Sequence, residues 1–177
     1  MAAKSGSVFM IEKILAMGAD PNTKSLEGYT PIQDAGISKN FKAFEKLIEI
    51  SEKPETPDIH NRSLLHHMCM ESGLTDDELL NYLEMLVSHN FGFNQQDEDG
   101  KLPIHYLVKH HYDKPKCIDY AIEKTIDLLE DKKGQTPLMI LAKKCSNWKI
   151  LINLIKKTSD LDKKDIFSRC FMSNLLS

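Results

Sequence analysis

One short phrase constrains this chain more than any other feature of it. Residues 131–142 read Asp-Lys-Lys-Gly-Gln-Thr-Pro-Leu-Met-Ile-Leu-Ala. Gly134 turns the backbone without steric cost. Thr136 is suited to cap a helix, and Pro137 to start one where no N–H is needed. Leu138, Leu141 and Ala142 then share a helical face at i, i+3, i+4. A turn running into so short an apolar helix is marginal alone in water. The phrase therefore demands neighbours built the same way.

Such neighbours are present. The frame returns at Ser25 to Ile32 and at Asp97 to His105. It returns more weakly at Asp58 to His66, where Asn61 replaces the glycine and Leu64 the proline, and more weakly still at Asp165 to Met172. The proline-equivalent positions are 31, 64, 103, 137 and 171, so the steps are 33, 39, 34 and 34 residues. Gly18-Ala19-Asp20-Pro21-Asn22 closes one unit, and Asn90 to Asn94 is a degraded version of the same closure. A fixed period of this length marks a solenoid of stacked units.

The pattern resembles the ankyrin repeat, with its period near 33 residues and its Thr-Pro-Leu-His-x-Ala signature. The resemblance covers nearly the whole chain. It implies an all-α solenoid of stacked helix-turn-helix units with short β-turn tips. The expected units are about 1–24, 25–57, 58–96, 97–130 and 131–164, with a partial unit at 165–177. Helices are expected near Val8–Met17, Pro31–Ile37, Phe41–Ile50, Leu64–Glu71, Pro137–Lys144 and Lys149–Lys157. A further helix after Thr75 is announced by Thr75-Asp76-Asp77-Glu78, a capping box with acid at the positive helix end. The third unit should run from Pro103 to about Thr125, with a loop at Tyr112 to Lys116 that contains Pro115. A helical turn at Ala2 to Gly6 and a loop at Glu52 to Pro57 complete the expectation. The first and last units are incomplete. The chain therefore reads as part of a longer array, or as one whose apolar residues Phe167, Phe171, Met172, Leu175 and Leu176 fold back as a cap.

Composition excludes several classes. Hydrophobic residues make up 41% and charged residues 28%, the balance of a folded domain rather than a disordered one. Four cysteines without C-x-x-C spacing read as reduced thiols in an intracellular protein. No apolar run approaches the roughly 20 residues that span a bilayer, so no membrane association is expected. No phosphate-binding, dinucleotide, zinc-protease or serine-hydrolase motif occurs. The cluster His60, His66, His67, Met68, Cys69 suggests a metal or a nucleophile. The resemblance instead gives His66 and His105 a structural role, tying neighbouring turns together. His110 and His111 end a helix, where its dipole favours positive charge. Paired lysines at 132/133, 143/144, 156/157 and 163/164 read as solvated faces rather than a nucleic-acid surface, because aromatics are scarce among them. No enzyme, cofactor, metal or small-molecule substrate is expected.

What the resemblance implies is a protein partner, met by the turn tips and the ends of the inner helices. The tip positions are Leu26, Glu27, Tyr29, Ile59, His60, Arg62, Glu98, Asp99, Lys101, Lys132, Lys133 and Gln135. The helix-end positions include Ile37, Met70, Lys143 and Lys144. Tyr29, Ile37, Ile59 and Met70 should be exposed anchors there. Charge is unevenly placed: residues 1–100 carry eight Lys and Arg against 17 Asp and Glu, and residues 101–177 carry 15 against nine. In a solenoid this order becomes an acidic end and a basic end. The alternative function is the targeting arm of a larger multidomain enzyme, or a microbial or viral effector acting on host proteins.

Overall fold

The computed structural model describes residues 7–26, 29–51, 57–143 and 148–157. The helices are α1 (Val8–Ala16), α2 (Pro31–Ile37), α3 (Phe41–Ile50), α4 (Leu64–Met70), α5 (Asp76–Ser88), α6 (Pro103–His110), α7 (Pro115–Lys124), α8 (Pro137–Ala142) and α9 (Trp148–Lys157). Among the described residues there is no strand. The short helices α2, α4, α6 and α8 stack in sequence as an inner row, and each packs against the longer helix that follows it. The result is an all-α solenoid of helix pairs. Ala2 to Gly6, Glu52 to Thr56 and Asp165 to Ser177, for which a helical turn, a loop and a partial unit were expected, lie outside the described residues.

The inner helices begin as the sequence dictates. Thr30 and Thr136 accept from Gln33 N and Met139 N, and Pro31, Pro103 and Pro137 occupy the first turn. Thr75 and Glu78 form the expected capping box at α5, with Thr75 N donating to Glu78 Oε2 at 2.8 Å. Asp76 does a second job: its carboxylate accepts from Lys116 N and Cys117 N at 3.0 and 3.1 Å, so it caps α7 of the next pair. Part of the excess length of this repeat lies in α5, 13 residues against 10 in α3 and α7.

One expected loop is corrected. Pro115 and Lys116 do not belong to it, because Pro115 takes the first position of α7. Cys117, Ile118, Ala121 and Ile122 supply the buried stripe that carries the helix on from there. Elsewhere the ends shift by a residue or two. α1 stops at Ala16, α4 at Met70 and α8 at Ala142, while α9 starts at Trp148.

The core is a continuous seam between the two rows. Phe44 meets Tyr82 edge-on at 4.9 Å, joining α3 to α5, and Phe93 meets Tyr120 at 6.3 Å. Met68, Leu79, Leu83, Leu86, Leu107 and Leu141 are buried between them. At Gly36 a Cβ would fall 2.7 Å from Met68 Sδ and 3.3 Å from the Phe44 ring, so a larger residue there would force the Met68 side chain to shift.

Candidate protein-binding groove

Each tip is built around one residue that opens the turn. Asp97 Oδ1 accepts from Asp99 N and Lys101 N, both at 2.9 Å, while Asp97 N donates to Lys101 O at 2.9 Å. Asp58 binds His60 N and Arg62 N in the same way, and Asp131 binds Lys133 N and Gln135 N. In the first tip Ser25 does the same work less fully, its hydroxyl accepting from Tyr29 N at 3.2 Å. These aspartates were not singled out from the sequence, although Asp at the start of a turn is the available signal. Gly100 and Gly134 take φ +75° and +68°, and Asn61 takes φ +57° in the equivalent place. Asparagine tolerates this region better than other side-chain-bearing residues.

The tips are tied to each other. Glu98 N donates to His60 O at 3.0 Å, and Lys132 N donates to Asp99 O at 2.8 Å. Asn61 Nδ2 adds a bond to Gln96 O at 2.9 Å. Behind them, Ser63 N donates to His66 Nδ1 at 3.1 Å. Nδ1 is therefore the acceptor nitrogen, so the proton sits on Nε2, which donates to Lys101 O at 3.1 Å. His105 repeats the arrangement, receiving Leu102 N and donating to Gln135 O at 3.1 Å. Both imidazoles tie one turn to the next, as the resemblance implied.

Burial keeps these rings neutral. It pushes His66 down to about 4, outweighing the bond to Lys101 O, and it lowers His105. His111 corrects an expectation. At the end of α6 it is buried, and burial, with Lys114 and His110 nearby, pushes it down to about 4 rather than favouring charge. Desolvation outweighs the helix dipole there. Cys69 is fully buried, and burial pushes its thiol up, away from the thiolate a nucleophile needs.

The inner face continues inward from the tips. His67 lies edge-on to Tyr29, ring centroids 5.8 Å apart. Asp58 Oδ2 is 3.2 Å from His67 Nε2, within ion-pair range but not aligned as a hydrogen bond. Tyr106 donates its hydroxyl to Asp97 Oδ2 at 2.6 Å. Arg62 and Lys101 lie over the Tyr106 ring at 5.9 and 5.7 Å, and His110 stacks on it. Tyr106 was not among the expected site residues. Its place one residue beyond the turn-tying His105 was the clue, because that step turns a side chain toward the groove.

The expected contact residues divide by exposure. Leu26 and Ile59 are 109% and 89% exposed. Lys132, Lys133, Glu98 and Lys143 are also exposed. Tyr29, Ile37 and Met70, expected to be exposed anchors, are only half-buried. Tyr29 is covered by His67, and Met70 packs partly onto the core. His60 pairs with Glu98, while Asp99 and Lys101 pair at 2.6 Å. Gln135 and Arg62 are half-buried. Glu27 and Lys144 lie outside the described residues.

A family model for ankyrin repeats, in three copies, matches residues 65–165. The chain belongs to the ankyrin repeat family. It is 32% identical over 104 residues to a putative ankyrin repeat protein of Acanthamoeba polyphaga mimivirus, covering 56% of this chain and 14% of that protein. It is 25% identical over 145 residues to inversin of the dog, covering 78% of this chain and 13% of inversin. It is 29% identical over 86 residues to palmitoyltransferase AKR1 of Kluyveromyces lactis, covering 46% of this chain and 11% of that enzyme. The chain thus spans about an eighth of the length of the relatives it matches. Ankyrin repeats are a general protein–protein interaction module. Among the described residues, no helix is long and apolar enough to cross a membrane, and no cluster of His, Cys, Asp and Glu is arranged to hold a metal ion.

Proposed function

We propose that this ankyrin array is a non-catalytic binding module that holds a partner protein along its tips and inner groove. The observation that carries this reading is the pairing of Leu26 and Ile59, two large apolar side chains left bare at successive tips. They stand on turns locked to one another by hydrogen bonds, or to the next unit through Lys24 Nζ and Pro57 O at 3.2 Å. Rigid apolar anchors on a preorganised row lose little entropy on binding. Tyr29, Ile37 and Met70 extend the apolar part inward, and Glu98, Asp99, Lys101, Lys132, Lys133, Gln135 and Lys143 set its polarity. His60 and Arg62 lie between the two.

A second reading is supported by the relatives. One is a viral protein and another an acyltransferase, each far longer than this chain. The array then serves as the targeting arm of a larger enzyme or of an effector, with the same groove as its contact surface.

The test is positional. A photo-crosslinking residue placed at Ile59 should capture the bound protein, and one at Glu84, exposed on α5 of the outer row, should not. Capture from position 84 alone would refute the groove.

A further inference from the structure

The acidic excess of residues 1–100 does not face the groove. The four inner helices contain one carboxylate, Asp34, and it is buried. Asp58, Asp97 and Asp131 are spent inside their own turns. The other two acids of the third tip are engaged from within the chain. Glu98 meets His60 Nδ1 of the tip before it, and Asp99 meets Lys101 Nζ at 2.6 Å. Exposed acids of the first half stand on the outer row instead, among them Glu45 and Glu49 on α3 and Glu84 on α5.

The bases of the second half do face the groove. Lys132 and Lys133 are exposed on the fourth tip, and Lys143 at the end of α8. Among the described residues none of the three stands within ion-pair range of an acid, and the Asp99 that feels Lys133 is already paired with Lys101. The second residue of each tip is in turn Leu26, Ile59, Glu98 and Lys132. Along the row these are two bare apolar groups, an acid already answered and a base left unanswered.

We infer that the partner presents an extended segment, apolar at one end and acidic at the other. Its apolar side chains lie over Leu26 and Ile59, and its carboxylates over Lys132, Lys133 and Lys143. The inference rests on the groove reading and names the chemistry of the partner. No basic stretch is called for over the first tips, although residues 1–100 carry 17 acids against eight bases. The spacing follows from the stack. Packed helices lie roughly 8–10 Å apart, and successive tips advance with them. A polyproline-II segment rises about 3.1 Å per residue with three residues per turn, so every third side chain returns to one face about 9 Å on. Its first and fourth side chains then meet Leu26 and Ile59, its seventh passes the third tip, and its tenth reaches Lys132. Such a segment is ordered before it binds, which reduces the entropy lost.

The test uses fluorescent peptides of about a dozen residues, built on that spacing and titrated with the full chain. They carry Leu at the first and fourth positions and Glu from the tenth onward, joined by Pro, Ser and Gln, in both chain directions. In one companion Ser replaces the leucines, in a second Lys replaces them, and in a third Lys replaces the glutamates. In at least one direction the Leu and Glu peptide should bind about tenfold more tightly than every companion. Leu26→Ser with Ile59→Ser should erase the advantage of Leu over Ser and keep the dependence on salt. Lys132→Glu with Lys133→Glu should erase the preference for Glu and the dependence on salt. The inference falls if a companion binds as tightly, or if a helical peptide with the same residues at heptad spacing does. Where Lys132→Glu weakens that binding, the groove stays and only the inference goes. The same holds if no peptide binds while a crosslinker at Ile59 still captures a protein. No peptide bound, with capture from position 84 alone, removes both.

Discussion

His66 donates from Nε2 to the carbonyl of Lys101, 35 residues along the chain, and so couples two units through one buried ring. The same ring accepts Ser63 N through its other nitrogen, which fixes its tautomer. An imidazole with both nitrogens used and no solvent exposure is a structural tie. His66→Ala would orphan Ser63 N and leave Lys101 O with Asp97 N alone. The expected loss is about 1–3 kcal/mol in urea denaturation, and an unchanged midpoint would contradict the tie.

Protonation should attack the same ties. His66 and His111 are held at about 4 by burial, below the ordinary value of about 6.5 in an unfolded chain. Between those values the unfolded state binds more protons than the folded one, so stability falls as pH falls. The contribution is complete above about 6.5 and lost toward about 4, on the order of 1–2 kcal/mol per ring at pH 5. His66→Asn should flatten part of the slope of Tm between pH 7 and 5. A Tm constant across that window would show that these rings are not buried neutral.

Asn61 tests the second tip. Its φ of +57° suits glycine, but its Nδ2 also donates to Gln96 O. Asn61→Gly relaxes the backbone and loses the bond, so the net change should stay within about 1 kcal/mol. Asn61→Ala loses the bond and keeps the strain, and should cost about 1–2 kcal/mol more than the glycine variant. Equal midpoints for the two variants would mean that the turn does not depend on its left-handed residue.

The sequence made the helices readable wherever local signals and apolar period agreed. Pro31–Ile37 and Phe41–Ile50 fall where they were expected, and the Thr75–Glu78 box starts α5. Pro115 misled because proline both ends loops and begins helices. The stripe from Cys117 to Ile122 is what decides between the two. The groove was less legible, because exposure depends on what lies across it. Tyr29 is covered by a histidine 38 residues away, and Met70 leans on the core, facts of packing that tip position alone does not carry. The burial that reverses the expected charge preference of His111 is likewise a property of the stack and not of its own helix.

The groove itself is tested most directly by affinity and association rate with the partner that the wild-type chain binds. Two sets of exposed substitutions should be compared, each folded by circular dichroism. On the groove these are Ile59→Ser, and Lys132→Glu with Lys133→Glu; on the outer row, Glu45→Lys with Glu84→Lys. Ile59→Ser should weaken binding about tenfold by loss of an apolar anchor. The double lysine variant should slow association and flatten its dependence on salt, since such charges chiefly steer encounter. The outer pair should leave both quantities as they were. Weakened binding in the outer pair, with the groove variants unaffected, would contradict the account.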